Sequence, residues 1–137
     1  MSSLHSGSCL CGDVAFTLSS DLAPVSCCHC TQCRKATGHY LASTETAADT
    51  LSFTSDSSLK WYQSSDYAKR GFCGNCGSTL FWRVIGSRDI SIAVGSLTSP
   101  TGLKTARHIF TADKGDYYQT PDDAPCFATF PGASGAL

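Results

Sequence analysis

The chain has 137 residues, 42% hydrophobic and 15% charged, with a formal net charge of −1. That composition fits one globular domain able to bury roughly two-thirds of its unfolded surface. With no long basic run and no apolar stretch near ~20 residues, it gives no sign of a nucleic-acid partner or a membrane span. The opening "MSSLHSGSCLCG" has neither a basic nor an apolar leader segment, so the expected location is cytoplasmic.

In chain order, "DVAFTLS" (13–19) alternates, with Val14, Phe16 and Leu18 on one face of a strand. A short helix is expected from Thr31 to Thr37, with Thr31 as its N-cap and Gly38 as its stop. That places Cys33 in the first turn, where the helix dipole favours a thiolate. "TGHYLASTETAADTLSFTS" reads as two strands around a turn. "LKWYQS" from Leu59, "TLFWRVI" from Thr79 and "DISIAVGSL" from Asp89 are β-rich. Turn clusters fall near residues 56, 87 and 100. From about Thr120 the scattered Pro, Gly and Ala read as coil. The expected organisation is a mainly-β domain over 1–119 and an irregular tail over 120–137.

Nine cysteines lie on this frame: Cys9, Cys11, Cys27, Cys28, Cys30, Cys33, Cys73, Cys76 and Cys126. C-x-C and C-x-x-C spacings suit metal ligation better than structural disulfides. On an extended strand Cys9 and Cys11 face the same side. Cys73 and Cys76, in "FCGNCGS", read as a knuckle hairpin in which Gly74 and Gly77 permit a tight turn and aim amides at sulfur. Together the two pairs make a closed four-cysteine zinc site that staples the N-terminus to the middle of the chain.

The second group reads differently. Cys28 and Cys30 share a face and Cys33 comes round on the helix, whereas Cys27 and His29 point the other way along an extended chain. Three thiolates then converge, and one position of a tetrahedron is left for something else, as in catalytic zinc sites. Closure of that tetrahedron by Cys27, Cys126 or a distant histidine is the competing reading. Arg34 and Lys35, which follow at once, offset thiolate charge or receive carboxylates of a ligand.

The ordered set "GSCLCG", "CHCTQCRKATG", "RGFCGNCGSTLFW", "ISIAVGSL" and "RHIF" resembles the glutathione-dependent formaldehyde-activating enzyme family, also called the centromere-protein-V family. The resemblance runs from about Ser8 to Tyr118. It implies a β-tent fold of small antiparallel sheets, stapled by zinc, with the short helix after the CxCxxC motif. It implies two zinc ions per chain, one structural on Cys9, Cys11, Cys73 and Cys76 and one catalytic on Cys28, Cys30 and Cys33. It also implies carbon–sulfur lyase chemistry, condensing a small aldehyde with glutathione or a related thiol. In that reading Arg34, Lys35 and His108 (of "RHIF") contact substrate. The chain departs from the family at Thr98, where "GSLT" replaces a common "GSLD", and it is short beside the formaldehyde-activating enzymes. Two further function classes compete with the lyase: a non-catalytic zinc module that binds a protein partner, and a thiol-based redox or metal-buffering protein.

Overall fold

A computed structural model describes residues 4–131. The regular elements in chain order are β1 (His5–Ser8), β2 (Val14–Leu18), β3 (Val25–Cys28), α1 (Thr31–Thr37), β4 (Leu41–Ala47), β5 (Leu51–Asp56), β6 (Leu59–Gln63), β7 (Ala68–Cys73), β8 (Thr79–Val84), β9 (Asp89–Ala93) and β10 (Thr105–Ile109). Single 3₁₀ turns follow β4, β9 and β10. The protein is mainly β, as the alternating patterns predict, and α1 is the one α-helix among the described residues. The strands group into two compact units, with β4 crossing from one to the other.

The first unit comprises the chain up to Ala23 together with Thr44–Gly102. In it β2 lies between β1 and β5, antiparallel to both, and β9, β8, β7 and β6 follow one another as antiparallel neighbours. The period of two in β2 does what it should: Val14, Phe16 and Leu18 are all buried, while Ala15 and Thr17 are only partly covered. Phe16 packs edge-on against Phe81, with ring centroids 5.2 Å apart, and Phe53 and Trp61 close on the same Phe81 ring at 5.8 and 6.0 Å. Gly7 of β1 sits opposite Phe16. A Cβ there would stand 2.7 Å from the Ser96 carbonyl oxygen and against the Phe16 ring, so only glycine fits.

The second unit comprises Pro24–Ser43 and the chain from Leu103. β3 pairs with the start of β4 in antiparallel register, Cys27 facing Ala42 and Cys28 facing Leu41. On its other side β3 pairs with β10, and here the strands are parallel, unlike the antiparallel sheets implied by the resemblance. Val25 and Cys27 are buried and Ser26 and Cys28 half-buried, the alternation that sends Cys27 away from its neighbour. Among the described residues, the segment after Thr120 has no regular element but is tied to β10: the Phe127 amide donates to the His108 carbonyl (2.9 Å) and the His108 amide to the Pro125 carbonyl (2.8 Å).

Helix α1 occupies the predicted residues, and Gly38 ends it in the left-handed region, φ 88°, with its amide donating to the Arg34 carbonyl at 2.8 Å. Its N-cap is Cys30 rather than Thr31. Cys30 is extended (φ −66°, ψ 162°), and its Sγ accepts the Cys33 amide at 3.3 Å. A sulfur here takes the place of the usual Ser or Asp oxygen.

Candidate metal centres

In the first unit the Sγ atoms of Cys9, Cys11, Cys73 and Cys76 all lie within 4.8 Å of one another. Cys9 and Cys11 are 3.6 Å apart and Cys11 and Cys73 3.8 Å. A tetrahedral ion with Zn–S bonds of ~2.3 Å requires S···S edges of about 3.8 Å, so the donor set fits zinc. The surrounding groups are arranged to receive thiolates. Cys9 Sγ accepts the Val14 amide at 3.3 Å. Cys73 Sγ accepts the amides of Asn75 and Cys76, each at 3.4 Å, and Cys11 Sγ accepts Asn75 Nδ2 at 3.3 Å. The hydroxyl and amide of Ser78 hold the Cys76 thiol down to about 5.

The knuckle differs from the sequence reading in one detail. Gly77 does take a positive φ (80°), but its amide donates to the Cys73 carbonyl at 2.8 Å. The amides directed at sulfur belong to Asn75 and Cys76, and Gly74 has no positive φ.

In the second unit the Sγ atoms of Cys28, Cys30 and Cys33 converge within the same 4.8 Å. The end of β3 supplies Cys28, the helix cap Cys30 and the buried face of α1 Cys33. Contacts from Cys28 and Cys33, followed by the amides of Cys33 and Gln32, draw the Cys30 thiol far down, while the same contacts and burial push Cys28 up. The three sulfurs together form a donor set that could hold a metal ion.

Cys27 is not part of the cluster. It is 3% exposed, and burial together with the Asp123 charge pushes its thiol up to about 11. Cys126 is exposed and also lies outside it. Arg34 is half-buried, with no hydrogen-bond partner for its buried Nε among the described residues, and Lys35 is exposed.

Sequence reasoning placed His29 on the far side of the strand from its neighbours but gave it no role. It is fully buried at the centre of a polar chain. Its Nδ1 meets the Tyr118 hydroxyl at 2.5 Å and its Nε2 meets His108 Nδ1 at 3.0 Å. His108 Nε2 in turn meets Asp123 Oδ1 at 2.9 Å. His108 is 1% exposed with both ring nitrogens engaged. Burial, and then the charges of His108, His39 and Lys114, push His29 down to about 4. Tyr40 stacks obliquely on His29 (4.6 Å), and burial raises the hydroxyl pKa of both Tyr40 and Tyr118. Tyr118 also lines a cleft of about 640 Å³ with Lys114, Asp116, Tyr117, Gln119 and Thr120.

The sequence profile described as "Glutathione-dependent formaldehyde-activating enzyme" matches residues 4–113, most of the chain and all seven clustered cysteines. The chain belongs to that family. A protein of Schizosaccharomyces pombe named as an uncharacterized lyase is 33% identical over 79 residues, a match spanning 57% of this chain and 56% of that one. The chain thus aligns with little more than half the length of this relative. A crystal structure of a Rhodobacter sphaeroides protein superposes with a TM-score of 0.57, covering 88% of this chain and 98% of the other at 20% identity. That likeness concerns the fold. Among the described residues, no helix is long and apolar enough to cross a membrane.

Proposed function

We propose that this member of the formaldehyde-activating family is a carbon–sulfur lyase that joins a small aldehyde to glutathione or a related thiol, with zinc at both cysteine clusters. The observation that carries the reading is the difference in donor number: four sulfurs converge at one centre and three at the other. Zinc takes four ligands, so the four-sulfur centre is complete in protein side chains and suits a structural role. The three-sulfur centre suits a catalytic one. Bound at Cys28, Cys30 and Cys33, zinc would supply Lewis acidity, lowering a thiol's pKa and polarising a carbonyl.

The chain's own residues do the rest. Cys30 caps α1 and so holds the helix N-terminus against the cluster. Arg34, one turn on, has a buried Nε without a hydrogen-bond partner among the described residues and is suited to a carboxylate of the thiol substrate. Lys35 is exposed and adds positive charge beside Arg34 in the chain. His108 reaches substrate only through other side chains, since both its ring nitrogens are bound within the protein.

The experiment is direct. Purified, zinc-replete protein is mixed with glutathione and formaldehyde, and exchange between free and adduct forms is followed by NMR. Exchange well above the uncatalysed rate, lost in Cys30→Ser, supports the reading. No acceleration with glutathione or any other small thiol contradicts it.

A further inference from the structure

The four-sulfur centre is assembled from two halves, the loop that carries Cys9 and Cys11 and the knuckle over residues 73–78. Two polar side chains of the knuckle reach across to the loop. Asn75 sits between the two knuckle ligands, yet its Nδ2 donates to Cys11 Sγ at 3.3 Å, across 64 residues of sequence. A metal-bound thiolate can only accept, so the amide must present nitrogen rather than oxygen to the sulfur. Asparagine is common in tight turns because it tolerates the left-handed region. That reason fails here: among the described residues Phe110 is the one non-glycine with a positive φ. Asn75 is also exposed, so its side chain fills no core. What remains is its bond to sulfur.

Ser78 makes the second crossing. Its Oγ accepts the Leu10 amide at 3.0 Å, across 68 residues, and lies 3.2 Å from Cys76 Sγ. With Leu10 donating to the oxygen, the hydroxyl proton is left for Cys76, where a thiolate accepts it. The part held by these two contacts is the outermost of the centre. Leu10 is 89% exposed and Cys11 is exposed, whereas Cys9 and Cys73 are buried. Cys9 is also fixed to β2, its sulfur accepting the Val14 amide and its own amide donating to the Val14 carbonyl. The Asp13 amide reaches Cys11 Sγ as well, but it belongs to the same loop and moves with it.

We propose that Asn75 and Ser78 form a latch on the loop carrying Cys9 and Cys11, and so set how fast this centre gives up its metal ion, with Cys11 the first sulfur to let go. The proposal rests on the reading of this centre as a zinc site. An ion that loses Cys11 keeps three sulfurs and gains an open position that a chelator can enter. For Cys11 to swing out, the Asn75 bond must break, and for Leu10 to follow, the Ser78 bond must break. Both are positioning residues: they touch the ligand sulfurs and the loop backbone, not the ion.

Two measurements on resting protein test this, and neither needs turnover. In wild-type protein loaded with cadmium-113 in place of zinc, the Asn75 side-chain amide protons should show a scalar coupling to the metal through Cys11 Sγ. Couplings at the backbone amides of Val14 and Cys76, which also donate to ligand sulfurs, serve as the internal standard. Couplings there and none at the Asn75 side chain overturn the latch. The second measurement is metal release into excess chelator, followed through the amide resonances of residues 73–78. Asn75→Ala should release about ten- to a hundredfold faster than wild type, and Ser78→Ala about tenfold faster. Asn75→Asp separates a latch from a turn former, because aspartate suits turns equally well but its carboxylate has no proton to donate. It should release at least as fast as Asn75→Ala, and release at the wild-type rate overturns the latch. Wild-type protein that binds neither zinc nor cadmium at these four sulfurs overturns the zinc reading instead.

Discussion

The two cysteine clusters are built by opposite means. One gathers two pairs from distant parts of the chain, Cys11 and Cys73 being 62 residues apart, and surrounds them with amide donors. The other collects three sulfurs from a strand end and the first turn of the adjoining helix. An ion that closes a long loop removes entropy from the unfolded chain and so bears on folding. An ion held by residues five positions apart at most closes almost no loop, so its binding is far less coupled to folding. On the proposed reading, the difference teaches that sulfur count and loop length together would separate a staple from a reaction centre.

The largest expected effect follows from breaking the staple. Cys73 is fully buried, and replacing it by Ser removes a ligand from a centre whose ion, on the proposed reading, contributes on the order of 10 kcal/mol, comparable to a whole domain's stability. Cys73→Ser should give protein without a cooperative thermal transition. A normal melt would remove the distinction between the centres.

Cys30→Ser breaks the other side of the comparison. Serine is a good N-cap, so α1 should persist while the third ligand is lost. Zinc content should fall from two ions to one, with an unchanged β-type circular dichroism spectrum. Turnover should drop by about a hundredfold or more, the several kcal/mol that a Lewis acid supplies. Arg34→Ala should act more mildly. Losing one charged hydrogen bond of about 1.5–3 kcal/mol should raise KM for the thiol roughly ten- to a hundredfold, with both zinc ions retained.

The smallest effect sharpens which cysteines stand outside both clusters. In folded, zinc-replete protein, iodoacetamide should label exposed Cys126 first and leave buried Cys27 untouched until the protein unfolds. Mass spectrometry of the labelled peptides checks this, and early labelling of Cys27 would place it on an accessible surface.

Both clusters were legible in the sequence because strand and helix periodicity translate spacing directly into direction: i and i+2 on a strand, i and i+3 across a helix start. The same alternation that put Cys28 and Cys30 on one face sent Cys27 and His29 to the other, which is where they are found. What those residues meet was not legible. Tyr118 and Asp123 come from a segment without regular periodicity, and they reach His29 and His108 through β10 lying parallel to β3. Parallel pairing joins segments far apart in sequence, with no turn between them to announce it. β3 and β10 were also hidden by composition: "VSCC" is half cysteine, and in "TARHI" only Ala106 and Ile109 are apolar. β7, "AKRGFC", carries two cations that mask its pattern, although Arg70 is buried. The helix cap moved from Thr31 to Cys30 because a sulfur can accept an amide as a hydroxyl does.

The claim that one centre holds the fold and the other the chemistry is tested most directly by stepwise chelation of wild-type protein, following zinc release, β-sheet circular dichroism and thiol–aldehyde turnover together. The account predicts that turnover disappears with the first equivalent of zinc while the spectrum stays unchanged, and that the second equivalent leaves only as the protein unfolds. Turnover that survives removal of the first ion, or a fold that collapses with it, would contradict the account.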